Sequence, residues 1–450
     1  MADTHLETDG PTLKQLHAAL DNEHDIRALL SDLHPAAVAH LLESLPLDRR
    51  DTVWEQLDAD EFAEVLAEAE DGVRLEKLRE MQPREVAAVA KELDPDDAVD
   101  LLQDLPEALV AQVLAQMDEQ NREILSRVLQ YPEDTAGGLM NVDAVSVRPD
   151  VTLEVVQRYL RARGHIPERT NRLMVVDREG HYLGMLRIAD LLTVSPECLV
   201  GEIMDTETGA IAADTPEDQV AQIFEQLNLV SAAVVDDDGV LIGRITIDDV
   251  VDVIREQGEA SLMHMAGLDH EEDMFAPIVF VARRRSVWLG VNLATALLAS
   301  WVIGLFEATI QEVVALAVLM PVVASMGGIA GSQALTVVIR GMALGQVGRH
   351  NAMAIVRHEL LVGLINSLLW AFVVSLVALA WFGNPRLGVI VGVALIANLV
   401  VAAVAGALVP LVLRKMNIDA ALAGGVVLTT VTDVVGFVTF LGLGALYLVP

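Results

Sequence analysis

Asp433 lies in the middle of TTVTDVVGF, inside an apolar stretch from about Ala420 to Val449. An ionised carboxylate at that depth in a bilayer is expensive, so it is expected to line a cation path. A hydrogen-bonded structural carboxylate is the alternative. Thr429, Thr430 and Thr432 share the segment, and their hydroxyls are able to bond water or merely their own helix carbonyls.

The elements that would hold this group are membrane helices. Five apolar runs crowd the end of the chain, about Ser286–Phe306, Val313–Ile339, Leu360–Phe382, Leu387–Leu413 and Ala420–Val449. Each is long enough to span about 30 Å of hydrocarbon. Arg283–Arg285, Arg340, Arg349, Arg357, Arg414 and Lys415 would share one side, with Arg386 alone on the other, which puts the N-terminus inside and the C-terminus outside. No nucleotide-hydrolysis motif appears, so neither an enzyme nor transport driven by its own ATPase is expected.

Composition divides the chain. Residues 1–275 hold 60 of the 65 acidic residues and 21 of the 30 basic ones. Such a front attracts cations and lacks the basic footprint that nucleic acid requires. The opening MADTHLETDG lacks the basic and apolar regions of a signal peptide. The single cysteine, Cys198, excludes an internal disulfide and fits a cytosolic front.

Residues 12–130 read as helical with an internal repeat. LHPAAVAHLLESLP (Leu33–Pro46) and LDPDDAVDLLQDLP (Leu93–Pro106) share a leucine, a proline two later, paired leucines and a closing Leu-Pro. Related starts at Leu57, Met81 and Met117 predict a superhelical stack of hairpins. Proline in a first turn behind Asp is also an ordinary helix start, the plain reading of Asp94 and Asp96.

The rhythm then changes. LMVVDREGHYLGMLRIADLL and AAVVDDDGVLIGRITIDDVVDVI each give a strand, an acidic-glycine turn, a second strand and a helix. Helices over Leu153–Arg163 and Pro216–Leu227 and the extended AVSVRPD and AIAADTP precede them. The pair resembles tandem CBS domains, a fold that often senses nucleotides or ions. The adenosine-type spacing is met by Gly243, Thr246 and Asp249 but becomes Gly184, Arg187 and Asp190 in the first copy. Thr246 with Asp249 is equally a plain helix cap. From Val251 to Met274 the pattern predicts a helix leading to the membrane, able to carry movement between domains or to act as a passive linker.

With YPEDTAGGLM (Tyr131–Met140) joining the first two parts, the whole order resembles an MgtE-type magnesium channel over nearly the entire chain. The resemblance implies a multidomain membrane protein. It would have an all-α superhelical N domain over 12–130 behind a disordered start (1–11), α/β tandem CBS domains over 131–199 and 200–254, a connecting or plug helix over 255–282, and an all-α five-helix transmembrane domain over 283–450. It also implies a homodimer in the inner membrane whose pore forms on the dimer axis from the second and fifth membrane helices. The matching positions are Pro321, Gly327, Gly328, Gly331 and Gln333 in the second, and Gly425, Thr429, Thr430 and Asp433 in the fifth. Ile329 stands where relatives carry asparagine, and Val426 where they carry proline.

Physics makes sense of these residue types. Mg²⁺ gives up its water reluctantly, with oxygens at about 2.1 Å, so a selective pore is easier to build around the hydrated ion. Proline leaves upstream carbonyls without helical partners and glycine lets backbones approach, although tight helix packing also uses such glycines. Asp433, doubled by symmetry, would hold one divalent ion through water, and a monovalent ion gains about half as much.

The resemblance further implies feedback closure by cytosolic Mg²⁺ bound among Asp96, Asp97, Asp100, Asp248, Asp249 and Asp252, with Glu256 and Glu259 nearby. Co²⁺, Ni²⁺ or Mn²⁺ as further cargo, and ATP at Thr246 and Asp249, are additional expectations. Two competing readings are a non-transporting CBS sensor or scaffold in the membrane and a proton-coupled divalent cation carrier.

Overall fold

The computed structural model describes residues 33–167, 169–268, 273–348, 350–416 and 418–449, with Arg27 and Leu30. The expected disordered start, the first stretch of the helical front, Arg349 and most of DHEED lie outside the described residues. The chain forms two units, residues 1–258 with 271–276, and residues 259–270 with 277–450.

Short helices open the first unit: α1 (Pro35–Glu43), α2 (Leu47–Trp54), α3 (Ala59–Glu68), α4 (Asp71–Glu80), α5 (Pro83–Glu92), α6 (Pro95–Gln103), α7 (Glu107–Gln116) and α8 (Glu119–Val128). Pro35, Pro83 and Pro95 sit in first turns, where a missing N–H costs no helix bond. Asp58 and Glu61 cap α3 reciprocally. α1 packs on α3, α3 on α5 and α5 on α7, which is the hairpin stack expected from the Leu-Pro repeat. Its core includes the repeated leucine pairs, Leu41 with Leu42 and Leu101 with Leu102, all fully buried.

The duplicated region follows. β1 (Ser146–Val147), α9 (Leu153–Arg163), β2 (Arg172–Val176), β3 (Tyr182–Arg187) and the short α10 (Asp190–Thr193) form the first copy. After α11 (Val200–Ile203), the second copy comprises β4 (Ile211–Ala212), α12 (Glu217–Leu227), β5 (Ser231–Val235), β6 (Leu241–Thr246) and α13 (Ile247–Met265). In each copy a parallel pair precedes an antiparallel hairpin, with the register irregular at Val175/Val176 and again at Val234/Val235. The turns match as well. Asp177 Oδ1 accepts backbone N–H bonds from Glu179 and His181, and Asp236 Oδ1 accepts them from Asp238 and Val240.

The YPEDTAGGLM segment has a structural purpose. The backbone N–H groups of Ala136 and Gly137 donate to Thr215 and Ala213, and Asn141 exchanges backbone bonds with Arg244, so the segment lies along the second copy. A Cβ at Gly137 would meet the Tyr131 ring at 2.4 Å, and one at Gly138 would meet the Pro132 carbonyl at 2.5 Å. Met140 and Ala136 share one core with the superhelix and with Phe224, Ile245 and Val253 of the second copy. The first copy keeps a core of its own around Leu153, Leu173 and Leu186.

Arg50 is a feature that hydropathy did not reveal. It is buried, and its Nε donates to the carbonyls of Leu42 and Leu45 at 3.0 Å. Its Nη atoms pair with Glu76 at 2.8 Å and with Asp273 at 2.7 and 3.0 Å, drawing the segment just before the first membrane helix onto the superhelix. Removing one partner of a buried pair leaves a stranded charge, at a cost of about 3–5 kcal/mol. Asp273→Ala is expected to lower the unfolding midpoint of the cytosolic unit by several degrees. An unchanged midpoint would mean that Glu76 and water suffice for Arg50.

The second unit holds α14 (Ile278–Gly304), α15 (Glu307–Glu312), α16 (Ala315–Ala343), α17 (Ala352–Phe382), α18 (Pro385–Lys415) and α19 (Ala420–Tyr447). All but α15 are long and apolar enough to cross a membrane. α14 starts eight residues before the expected Ser286, so Arg283–Arg285 lie on the helix and not in a loop. α18 is the hub, packing on α16, α17 and α19. In its most apolar stretch 61% of residues are buried, against 11% in α14 and 17% in α17, the two most exposed of the five.

The helix expected over Val251–Met274 is corrected at its end. α13 begins at Ile247 and stops at Met265 because Gly267 turns left-handed (φ 72°) and Leu268 N–H reaches back to Met263 O at 2.9 Å. Met274 lies in a separate turn.

Candidate ion path and acidic cluster

Asp433 is near the middle of α19, half-exposed, with no hydrogen-bond or ion-pair partner among the described residues. One α-helical turn back, Thr429 is exposed and Thr430 half-exposed. Their hydroxyls donate to the carbonyls of Gly425 and Val426 at 2.8 and 2.7 Å, the self-bonded alternative of the sequence reading. Thr432 departs from the expected pore set. It is fully buried and donates to Thr429 O at 3.0 Å, because a helix turns 100° per residue and carries it to the face opposite water or lipid.

The residues expected on α16 also separate. Gly327 and Gly331 are buried, and a Cβ on them would meet Asn398 at 2.2 Å and Leu428 at 2.8 Å, so these two serve close packing. Gly328 and Gly425 have open space where a Cβ would go. Pro321 and Gln333 are exposed, and Ser325, Ser332 and Thr336 continue the same outward face with Ile329 among them. A lipid-facing helix has no use for that row of polar groups, whereas a water-filled or subunit-covered face does. At the start of α19, Asp419 caps the helix through Ala421 N–H (2.7 Å) and meets His264 Nδ1 of α13 at 2.6 Å.

In the first unit, the acids of α6 meet those of the second strand–helix copy. Asp96 Oδ1 accepts from Asn141 Nδ2 at 3.0 Å, and burial raises its pKa. Burial raises Asp97 to about 7, helped by Asp96, Asp94 and Asp249. Asp97 also opens to water at the edge of the cluster. Asp100 is held well above the ordinary carboxylate value by burial, despite Arg74 nearby. Asp249, which caps α13 by accepting from Thr246 N at 2.9 Å, is raised to about 7 by burial and Asp96. Burial also lifts Asp252. Glu256 is lifted to about 7 by burial and Asp71, with Asp252 and Glu217 adding to it. Asp248 instead has cations to hand, with Arg169 at 2.5 Å.

This is a surplus of negative charge, and an all-oxygen donor set suits a hard divalent ion. Among the described residues these acids do not converge as a direct ligand set. The grouping that does, Asp177, Glu179 and His181, sits on a turn whose bonds are internal. Attraction through bound water fits such spacing, because Mg²⁺ keeps its hydration shell. Sequence reasoning missed Glu133, Asp71 and Glu217. Burial raises Glu133, with Asp104, Asp71 and Glu217 pressing on it, and its place in YPED was the available signal.

The raised values give a pH dependence with a definite sign. A carboxylate lifted from 3.8 to about 7 imposes no charge penalty below pH about 4 and the full penalty above about 7. Without divalent cations the unit is expected to lose stability as pH climbs through that window, and Mg²⁺ to restore it. Mg²⁺ should therefore raise the unfolding midpoint more at about pH 8 than at about pH 6, and its half-saturating concentration should change up to about tenfold per pH unit for each proton displaced. Equal Mg²⁺ effects at both pH values would overturn this account.

Comparison with known proteins gives three matches to family models. Residues 33–134 match the MgtE intracellular N domain, 136–197 and 200–256 match the CBS domain, and 320–443 match the MgtE divalent cation transporter model. The Magnesium transporter MgtE of Thermus thermophilus is 30% identical over 436 residues, spanning 95% of this chain and 96% of that protein. The chain belongs to the MgtE family of magnesium transporters. The Bacillus subtilis Magnesium transporter MgtE is 27% identical over 426 residues, 94% of each chain. A solved structure described as the cytosolic domain of the Mg²⁺ channel MgtE in complex with ATP is 31% identical, covering 54% of this chain and 99% of that one, with a TM-score of 0.49.

Membership in the MgtE family removes the non-transporting sensor or scaffold, because the relatives are transporters. In this MgtE chain the N-domain model ends and the first CBS model begins within YPEDTAGGLM, the segment that folds against the second CBS copy.

Proposed function

We propose that this chain is a Mg²⁺ channel that imports the ion across the inner membrane and is closed by cytosolic Mg²⁺ at its own acidic domains. The observation that carries the reading is Asp433, a carboxylate midway along a spanning helix, half-exposed and without a partner among the described residues. Hydrocarbon cannot cover such a group, so water and a second copy must. The polar outer row of α16 supports the same arrangement, a path on a homodimer axis between α16 and α19. The basic residues at the α14, α16 and α18 ends support a cytoplasmic N-terminus and an extracytoplasmic C-terminus.

Closure follows from the charge surplus. Cations bridging α6 and the start of α13 would relieve the repulsion among Asp97, Asp100 and Asp249 and favour the assembled state. α13 carries both Asp249 and His264, and His264 meets the cap of α19, so a shift of that helix bears on the helix holding Asp433. Adenosine-type binding at Thr246 and Asp249 would have to compete with the cap these two already make. Co²⁺, Ni²⁺ and Mn²⁺ would pass to the extent that their hydrated size fits.

Mg²⁺ flux into liposomes carrying the full chain, with Mg²⁺ varied on the cytoplasmic face, tests the reading. Inhibition in the millimolar range is expected, and flux that ignores cytoplasmic Mg²⁺ would remove the regulatory half. Uptake that follows an imposed pH gradient would favour the proton-coupled carrier.

A further inference from the structure

Asn398, midway along α18, is fully buried at the centre of the membrane unit. Its Nδ2 donates to the backbone carbonyl of Val323 in α16 at 2.8 Å. Its Oδ1 has no hydrogen-bond partner among the described residues. Two glycines are cut away around it. A Cβ on Gly327 of α16 would lie 2.2 Å from Nδ2, and one on Gly436 of α19 would lie 2.8 Å from the same atom. One amide thus touches both helices that the proposed function places along the ion path, from a third helix that does not line it.

Packing does not call for a polar group there. A leucine, branched at the same carbon and with as many side-chain atoms, would fill the space without burying an unmatched acceptor, which an apolar interior penalises. What the amide supplies and an alkyl group does not is a directed bond to one carbonyl of α16, two residues past Pro321. Fixing that carbonyl sets the height and rotation of α16 against α19, and with them the oxygens and outward side chains presented to the ion.

We propose that Asn398 is a positioning residue for Mg²⁺ permeation, holding α16 in register against α19 through the Val323 carbonyl. This rests on the reading that α16 and α19 line the path.

The test is Mg²⁺ and Ca²⁺ flux through the reconstituted full chain for the wild type, Asn398→Leu, which keeps the branched shape and removes the bond, and Asn398→Ser, which fits the space but falls short of Val323. Thermal midpoint and oligomeric state are measured for each. Asn398→Leu is expected to keep its fold and midpoint, yet lose about tenfold or more of its Mg²⁺ flux and shift its Mg²⁺-to-Ca²⁺ ratio, as groups that orient ion-binding atoms from behind typically do. Asn398→Ser should show the same change of ratio. Wild-type flux and ratio in Asn398→Leu would overturn the proposal, as would both variants failing to fold, which would make Asn398 a scaffold residue. Asp433→Asn is run alongside. If it retains wild-type flux, the path reading fails; if it abolishes flux while Asn398→Leu changes nothing, the positioning role alone fails.

Discussion

Asp433→Asn is expected to lower Mg²⁺ flux by orders of magnitude and to erase the preference for divalent over monovalent ions. At about 5 Å, the distance of a water-separated contact, a carboxylate attracts a divalent ion by about 6 kcal/mol and a monovalent ion by about 3 kcal/mol in an effective dielectric of about 20. Asparagine keeps the shape of Asp433 and removes that difference. No other residue of α19 replaces the charge, since Asp433 is its one acidic residue. The variant should still fold and reach the membrane, because the carboxylate makes no bond that holds the helices together. Flux by the Asn variant equal to wild type, from protein shown to be dimeric and folded, would move the path elsewhere.

The second large effect concerns regulation. Asp97→Asn with Asp249→Asn should give a transporter whose flux is low and nearly independent of cytoplasmic Mg²⁺. Both carboxylates are pushed to about 7, so the assembled cytosolic unit pays to keep them ionised near neutral pH. Neutral amides remove that repulsion without any cation, and the unit stays closed. Mg²⁺ should then add little to its thermal midpoint. The measurement is the cytoplasmic Mg²⁺ dependence of flux in the double variant. A curve that matches wild type would show that the feedback does not run through these two acids, and one that stays high at all Mg²⁺ levels would reverse the assigned sign.

How much of this was legible in the sequence varies by kind of signal. The superhelix was visible because prolines and leucine pairs recur, and helix starts and buried stripes are local properties. The five spans were visible because hydrocarbon sets a length that composition must meet. Their ends were less so: α14 runs back to Ile278 and α13 stops at Met265, each decided by a single Pro or Gly. Asp433 was found because a charge in an apolar run needs no neighbours to look odd.

What the sequence determined, then, was everything carried by local pattern: the order of parts, the helical repeat, the two CBS copies, the spans and the one mid-membrane carboxylate. The folded chain decided matters of facing. It buried Thr432 while leaving Asp433 half-exposed, sent Gly327 and Gly331 into packing while Gly328 stayed open, and set Asn398 between two helices. It brought Asp96 and Asp97 beside Asp249 and drew Arg50 to Asp273. The physical reason is the same in each case. Rotation about a helix axis and contact between distant segments come from the simultaneous packing of several elements, and no window of neighbouring residues contains that information.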